Sequence, residues 1–338
     1  MPAALTWDKF TLNLRNPFHL SYGTTDTRDA FWLRLRGDEG WGEGTIPPYY
    51  RVDLSAMTSC WQHAAEQDKP PPDSIEKIAA WIPQDSPAPA RCGLELALLD
   101  RIGKRRGLPL WKLLDLPEPA GIPTAFTISI DTPEAMARMA KQIAGYPLIK
   151  IKLGSEDDES RVRAVREARP DARLVIDANA GWTLDAALKN LKWLETCRIE
   201  LIEQPLAKDQ HAAMGEVQKN TSIPIVGDES VQSMEDVEKL GKAGVAGINV
   251  KLMKVGGVLP ALVILRRARE LKMKIMLGCM IETSLGITAM AHLSGLADWV
   301  DLDAPLLISN DPFDGVRYDE HAVMTMPDGR PGIGVIRK

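Results

Sequence analysis

The stretch LIKIKLG at 148–154 is apolar along its length except for two lysines, Lys150 and Lys152, spaced two residues apart toward its end. The same pattern recurs downstream. LVIDANA at 174–180, LIEQP at 201–205, PIVGDES at 224–230, INVKLMKVGG at 248–257 and WVDLDAP at 299–305 each run apolar and then turn charged. Strands of this kind with charged C-terminal tips characterise a (β/α)8 barrel, which builds its active site from strand ends at one face. The charged tips are expected to converge on a single site.

Apolar β-rich runs begin near Thr124, Leu148, Arg173, Ile199, Ile223, Gly247, Lys274 and Trp299. Their recurrence of roughly 25 residues suits one strand, one crossover helix and two short loops. Between them, 133–145, 156–168, 184–197, 234–242, 259–271 and 284–296 carry apolar residues at helical spacing,. Thr132 followed by Pro133 is one of the helix start signals,. The fold class is therefore α/β, and eight units fit one closed barrel better than a doubly wound open sheet. Residues 1–118 read differently: short strands at 11–14, 31–36 and 41–44, then helices near 53–67, 73–82 and 88–105, make a separate α+β domain,. The boundary is expected in LPEPAGIP at 116–123, with the barrel over 119–315 and a tail, 316–338, returning to pack on the N-terminal domain,.

Composition narrows the function. The chain has 338 residues, 45% of them hydrophobic and 26% charged, which is globular,. A net charge of −5 argues against nucleic-acid binding,. No apolar run reaches membrane-spanning length, and MPAALTWDKF lacks a signal-peptide profile,. Cys60, Cys92, Cys197 and Cys279 are widely separated in apolar or helical contexts, so they read as reduced packing residues, and a cytoplasmic location is expected,.

The strand tips can be read as chemistry. Asp177, Glu203 and Asp228 close three adjacent strands and would repel one another if left unpaired. Oxygen donors without His or Cys suit a hard divalent cation such as Mg2+, with ion pairing to neighbouring lysines as the simpler alternative. Asn179 and Glu229 stand where they can support such a site,. Lys150 and Lys152 share one strand face and Lys251 closes strand six,. Lys152 and Lys251 are expected to face one another across a bound ligand, their ammonium pKa values depressed by burial and nearby positive charge, ready to remove and return a proton on opposite faces of a carbon. Lys254, beyond the strand, is expected to face solvent. The five histidines show no ligand spacing, and neither a nucleophile elbow nor a Walker loop is present,.

The order KIK (150–152), DAN (177–179), EQP (203–205), DES (228–230) and NVKLMKVGG (249–257), preceded by GLELALLDRIGKRRGLPLWKLL (93–114), closely resembles the enolase superfamily, muconate-lactonizing-enzyme subgroup. The resemblance covers nearly the whole chain. It implies an α+β cap built from the N-terminal region and the C-terminal tail, an enolase-like modified barrel, Mg2+ on Asp177, Glu203 and Asp228, and Lys152 and Lys251 as an acid–base pair, since superfamily sites pair such a base with Mg2+ at an enolate. It also implies a small-molecule substrate, no nucleic-acid or membrane partner, and a homo-oligomer.

Within the subgroup, Asp301 and Asp303 resemble the DxD pair by which dipeptide epimerases hold a substrate ammonium group, and GCMIETSLGITA at 278–289 resembles their seventh-strand segment. The expected reaction is inversion of the α-carbon of a dipeptide's C-terminal residue by two-base proton transfer through an enediolate. Lys150, Thr127, Tyr22 and Asp26 complete the expected substrate-binding set. Epimerases of L-Ala-D/L-Glu place an arginine in the loop after PF, where NPFHLSYGTTD has Tyr22 and Gly23. Glutamate is therefore not expected as the inverted residue; Tyr22, Asp26 and PPYYR at 47–51 point to an apolar, aromatic or cationic one. The alternatives are an N-succinylamino acid racemase or o-succinylbenzoate synthase, whose substrates give Asp301 and Asp303 no ammonium to hold, and a non-catalytic binding barrel.

Overall fold

The structure, a computed structural model, describes residues 5–21, 23–46, 48–119 and 121–338. The chain opens with a three-stranded antiparallel sheet in the order β1 (Leu5–Leu20), β2 (Gly23–Leu35), β3 (Gly40–Thr45). β1 and β2 are far longer than the sequence suggested. Their outer halves form a two-stranded ribbon exposed on much of both faces, so no apolar alternation announces them,. Helix Ala88–Arg106 lies directly on β3: a Cβ at Gly40 would stand 2.0 Å from Ala97 O, and one at Gly42 1.9 Å from Gly93 O. Only glycine permits that approach.

Eight parallel strands follow: β4 (Phe126–Ile128), β5 (Leu148–Lys152), β6 (Arg173–Asp177), β7 (Ile199–Glu203), β8 (Ile225–Gly227), β9 (Gly247–Val250), β10 (Lys274–Gly278) and β11 (Trp299–Asp301). They pair in chain order, and Ala125 N donates to Val300 O (2.9 Å) across the seam between the first strand and the last. The expected eight-stranded barrel is what forms, wrapped in helices that include Pro133–Gln142, where Thr132 Oγ1 caps Ala135 N at 3.2 Å,. Helix Ser284–Ala291 is shorter than its apolar pattern suggested.

The barrel interior explains why the tips converge. Ala125, Leu148, Val175, Leu201, Val226, Met276 and Trp299 point inward and form one buried apolar layer. Side chains on a strand return to the same face every second residue. The next inward layer is therefore Thr127, Lys150, Asp177, Glu203, Asp228, Gly278 and Asp301. Truncating a fully buried leucine such as Leu201 would cost about 2–5 kcal/mol and loosen the floor under the charged layer,.

The tail reaches back to the N-terminal sheet. Gly332 bridges Pro109, and buried Asp100 accepts from both Trp41 N (2.9 Å) and Ile333 N (2.8 Å). No helix of the described residues is long and apolar enough to cross a membrane.

Candidate active site

Register aligns the tips. Lys152 is opposite Asp177, Asp177 opposite Glu203, Thr127 opposite Lys150, and Gly278 opposite Asp301. Immediately past these tips the backbone turns through positive φ at Asn179 (43°) and Gln204 (36°). Such conformations cost of order 1–3 kcal/mol each and persist where surrounding bonds impose them. At Gln204 those bonds are visible: its Oε1 accepts from Asp228 N (2.7 Å) and Ser230 N (3.1 Å), and its Nε2 donates to Ser230 Oγ (2.8 Å) and Leu206 O (2.6 Å).

At the mouth, one oxygen from each of Asp177, Glu203 and Asp228 lies within 4.8 Å of the others, and all three residues are buried. Lys150 Nζ stands 2.7 Å from Glu203 Oε2, 2.7 Å from Asp301 Oδ2 and 3.0 Å from Asp177 Oδ2. Lys152 Nζ is 2.7 Å from Asp177 Oδ2, and Lys251 Nζ 2.7 Å from Asp228 Oδ2. With Glu229 and Asp303 included, six carboxylates face the ammonium groups of Lys150, Lys152, Lys251 and Lys254. The carboxylates outnumber the ammonium groups, so ionising all of them leaves a repulsion that a cation among them would relieve. The oxygen-only donor set, its spacing and this excess fit a hard dication.

The electrostatics carry the same imprint. Burial pushes Asp177 up, but Lys150 and Lys152 outweigh it and hold the carboxylate below its ordinary range. Asp228 is likewise held low, by Lys251 and Lys254 against burial. Glu203 goes the other way: burial and the repulsion of Asp177 raise it to about 8 despite Lys150, whose Nζ sits close to Oε2 without hydrogen-bonding geometry. Burial and the charges of Asp228 and Asp177 raise Glu229 to about 7.

Most of the residues singled out in the sequence come together here, with three corrections. Lys254 does not face solvent: the single turn Leu252–Val255 folds it back under β9, fully buried, where it bonds Asp228 Oδ1 at 2.5 Å and Asn249 O at 3.0 Å. The expected lowering of Lys251 is reversed: burial lowers it, but the carboxylates of Asp228, Glu203 and Asp177 together raise it; the lowering, caused by burial, falls on Lys254. Asp26 is exposed on β2 outside the pocket, at the place where the register slips between Asn13 and Phe18. Tyr22 and Pro47 lie outside the described residues.

Other placements add to the set. Thr127 N donates to Asp303 Oδ2 at 2.7 Å, and Asn179 Nδ2 spans Asp177 Oδ2 (3.3 Å) and Glu229 Oε1 (3.2 Å). Sequence reasoning missed Asn249, which occupies the apolar layer level with Met276 and donates to Glu203 Oε1 at 2.8 Å. Its signal was a lone amide inside an otherwise apolar strand. A Cβ at Gly278 would come within 2.5 Å of Asn249 Oδ1, so that glycine is what admits the amide.

The pocket above this cluster lies between the N-terminal sheet and the barrel. Phe18, Leu20, Arg28, Tyr49 and Tyr50 come from one side; Lys152, Lys251, Asp301, Asp303 and the 279–281 segment come from the other. Such a layout defines a barrel whose C-terminal mouth carries a carboxylate site for a hard cation between two lysines, beneath a cap. Residues 134–336 match the enolase C-terminal domain-like family, and residues 6–115 match the mandelate racemase / muconate lactonizing enzyme N-terminal domain. The chain belongs to the enolase superfamily.

Relatives sharpen this. An L-Ala-D/L-Glu epimerase of Bacteroides thetaiotaomicron is 34% identical over 98% of this chain and 88% of its own. The dipeptide epimerase of Enterococcus faecalis V583, solved with Mg and the dipeptide L-Leu-L-Tyr, superposes with a TM-score of 0.91 at 30% identity, over 98% of this chain and 99% of that one. An N-succinyl Arg/Lys racemase of Bacillus cereus gives the same TM-score, 0.91, at 27% identity, over 99% and 95%.

Proposed function

We propose that this protein is a Mg2+-dependent dipeptide epimerase, inverting the α-carbon of the C-terminal residue of an L,L- or L,D-dipeptide. One observation carries the choice within the superfamily. Asp301 is almost fully buried; Lys150 takes its Oδ2, and Oδ1 is left without a hydrogen-bond partner beside the second carboxylate, Asp303. A buried acceptor without a partner costs about 1–3 kcal/mol, and a substrate ammonium group supplies the missing donor. An N-succinylated amino acid has no free α-ammonium group.

In this reading Asp177, Glu203 and Asp228 hold the ion, with Asn249, Asn179 and Glu229 fixing their orientation. When bound, the ion supplies charge neutralisation to the substrate carboxylate beside the carbon that loses its proton. Lys152, paired with Asp177, and Lys251, paired with Asp228, flank the ligand space from opposite sides. One takes the α-proton, and the other returns a proton to the opposite face. Lys150, closed off by three carboxylates, orients Asp301 and stays charged: burial is outweighed by Asp177, Asp301 and Glu203, which raise it well above the ordinary lysine value.

The pocket wall of Phe18, Leu20, Tyr49, Tyr50, Met280 and Ile281 supports an apolar or aromatic inverted residue. A cationic one loses its support, since Asp26 is outside the pocket and Arg28 lines it. We further place the cap at 1–118 with tail 316–338 and the barrel at 119–315, and assign a cytoplasmic location and a homo-oligomeric state. The deciding experiment screens L,L- and L,D-dipeptides, with N-succinylamino acids beside them, for solvent-deuterium incorporation by mass spectrometry. Incorporation into free dipeptides at the C-terminal α-carbon is expected; faster turnover of the N-succinyl compounds would replace this reading with the racemase.

A further inference from the structure

Lys251 opens the single turn Leu252–Val255, and its carbonyl accepts from Lys254 N (3.0 Å) and Val255 N (3.3 Å). The turn thus fixes the backbone that carries this lysine. Its far end runs into Gly256 and Gly257, at φ of 97° and 133°, conformations that glycine adopts easily and leaves as easily,. What holds them in place comes from the cap.

Arg91 and Glu95 stand one helical turn apart on helix Ala88–Arg106 and bracket the two glycines,. A Cβ at Gly256 would come within 2.9 Å of Arg91 Nη2, and one at Gly257 within 2.1 Å of Glu95 Oε2. The buried Glu95 carboxyl accepts from Val258 N and, at 3.2 Å, from Leu259 N, so it closes the N-terminus of helix Val258–Glu270,. Thr45 N of the same domain donates to Met253 Sδ at 3.4 Å, in the middle of the turn. Arg91 and Glu95 both lie outside the lining of the ligand pocket.

We propose that Glu95 is a positioning residue for the reaction: it acts through the turn to set Lys251, and it leaves Lys152 in place. The inference rests on the two-base reading of the site and extends it. Lys152 belongs to β5 and pairs with Asp177, whereas Lys251 and Lys254 both reach Asp228 from the turn that Glu95 closes. Removing the Glu95 carboxyl strips two backbone N–H groups of their acceptor beside two glycines, and the loop must rearrange to satisfy them. A shift of about 1 Å in a reacting group can cost about 10²-fold, so the displacement should be readable on one lysine and not on the other.

The test measures α-proton exchange in D2O at saturating Mg2+, starting separately from each epimer of one dipeptide. Each starting epimer reports the lysine on its own face. Glu95→Ala should slow exchange by about tenfold or more from the epimer that Lys251→Ala silences, and should leave exchange from the other within about twofold. Glu95→Gln keeps the side-chain volume and one carbonyl acceptor, so it should skew the ratio the same way by a smaller factor, about threefold, and it carries the test if the alanine variant fails to fold. Asp100→Asn perturbs the same helix where it meets Trp41 and Ile333, and should leave the ratio unchanged. Equal losses from both epimers, an unskewed ratio in the Glu95 variants, or the same skew in Asp100→Asn would overturn the inference with the epimerase reading intact. Should the wild-type protein exchange no dipeptide and turn over N-succinylamino acids, the dipeptide reading falls, and the same ratio measured on those compounds decides the role of Glu95.

Discussion

Glu43 of the N-terminal sheet and Thr283 of the barrel are joined by two hydrogen bonds in the interior: Thr283 N donates to Glu43 Oε1 at 2.9 Å and Thr283 Oγ1 to Oε2 at 2.5 Å. Gly286 N adds a third at 3.0 Å, so a cap carboxylate closes the N-terminus of helix Ser284–Ala291,. The segment just before that helix, 279–281, is a wall of the pocket. Cap and barrel are thus pinned together at the edge of the site.

The same contact has a pH signature. Burial raises Glu43 from its ordinary 4.5 to about 7, with Asp311 adding repulsion, and burial together with Glu43 raises Glu282 to about 8, with Lys251 opposing. Both folded values exceed the unfolded one, so the folded protein retains protons that the unfolded chain has released. The stability they contribute is full below about pH 4.5 and is lost as pH rises through 7–8,. One such proton gives a slope of up to about 1.4 kcal/mol per pH unit. Thermal midpoints should fall between pH 5 and 9, and Glu282→Gln should flatten that fall relative to wild type. A parallel decline in the variant would show that other buried acids set it.

Metal removal should abolish turnover. EDTA treatment is expected to silence the enzyme, Mg2+ to restore it, and titration calorimetry to show one tight site per chain, lost in Asp177→Asn. Full activity after exhaustive chelation would remove Asp177, Glu203 and Asp228 from their role.

Asn249→Ala should leave the fold intact and weaken Mg2+ binding by roughly 10–100-fold, the usual cost of losing a residue that orients a metal ligand. The bond lost is the 2.8 Å donation to Glu203 Oε1. Unchanged affinity in a calorimetric titration would make Asn249 a packing residue only.

These residues also show where sequence reasoning ends. The tips Asp177, Glu203, Asp228 and Asp301 were legible because one period-two pattern sets both the apolar layer and the charged layer above it,. Lys254 was not, because a single helical turn after β9 reverses its direction, and no periodicity spans four residues. Glu43 was hidden for another reason: its partners in the barrel are 240 and 243 positions away, and its isolated carboxylate in GWGEGT carries no spacing signal. The long β1–β2 ribbon escaped because it buries too little of either face to write an alternation.

The lysines should separate by face. Lys152→Ala and Lys251→Ala are each expected to lose epimerisation by at least 10²–10⁴-fold, the usual worth of a positioned acid or base. In D2O one variant should still exchange the α-proton of a single epimer, and the other variant that of the opposite epimer. If either variant epimerises near the wild-type rate, the assignment of the pair is wrong.

The strand-eight carboxylates make the sharpest claim. Asp303 is raised to about 7 by burial and by the charge of Asp301 next to it, and Asp301 keeps Oδ1 without a donor. Both features are costs to the empty pocket, and a substrate ammonium group removes both at once. N-acetylation of a good dipeptide should therefore lower kcat/KM by 10²-fold or more, most of it through KM, since binding charge away from the reacting carbon stabilises ground and transition states alike. Asp303→Asn should weaken free dipeptides in the same way while leaving Mg2+ affinity unchanged, because Asp303 bonds Thr127 N and none of the three ligand carboxylates. A loss of metal binding in that variant, or an N-acetyl dipeptide as good as its free parent, would show that strand eight does not read the ammonium group.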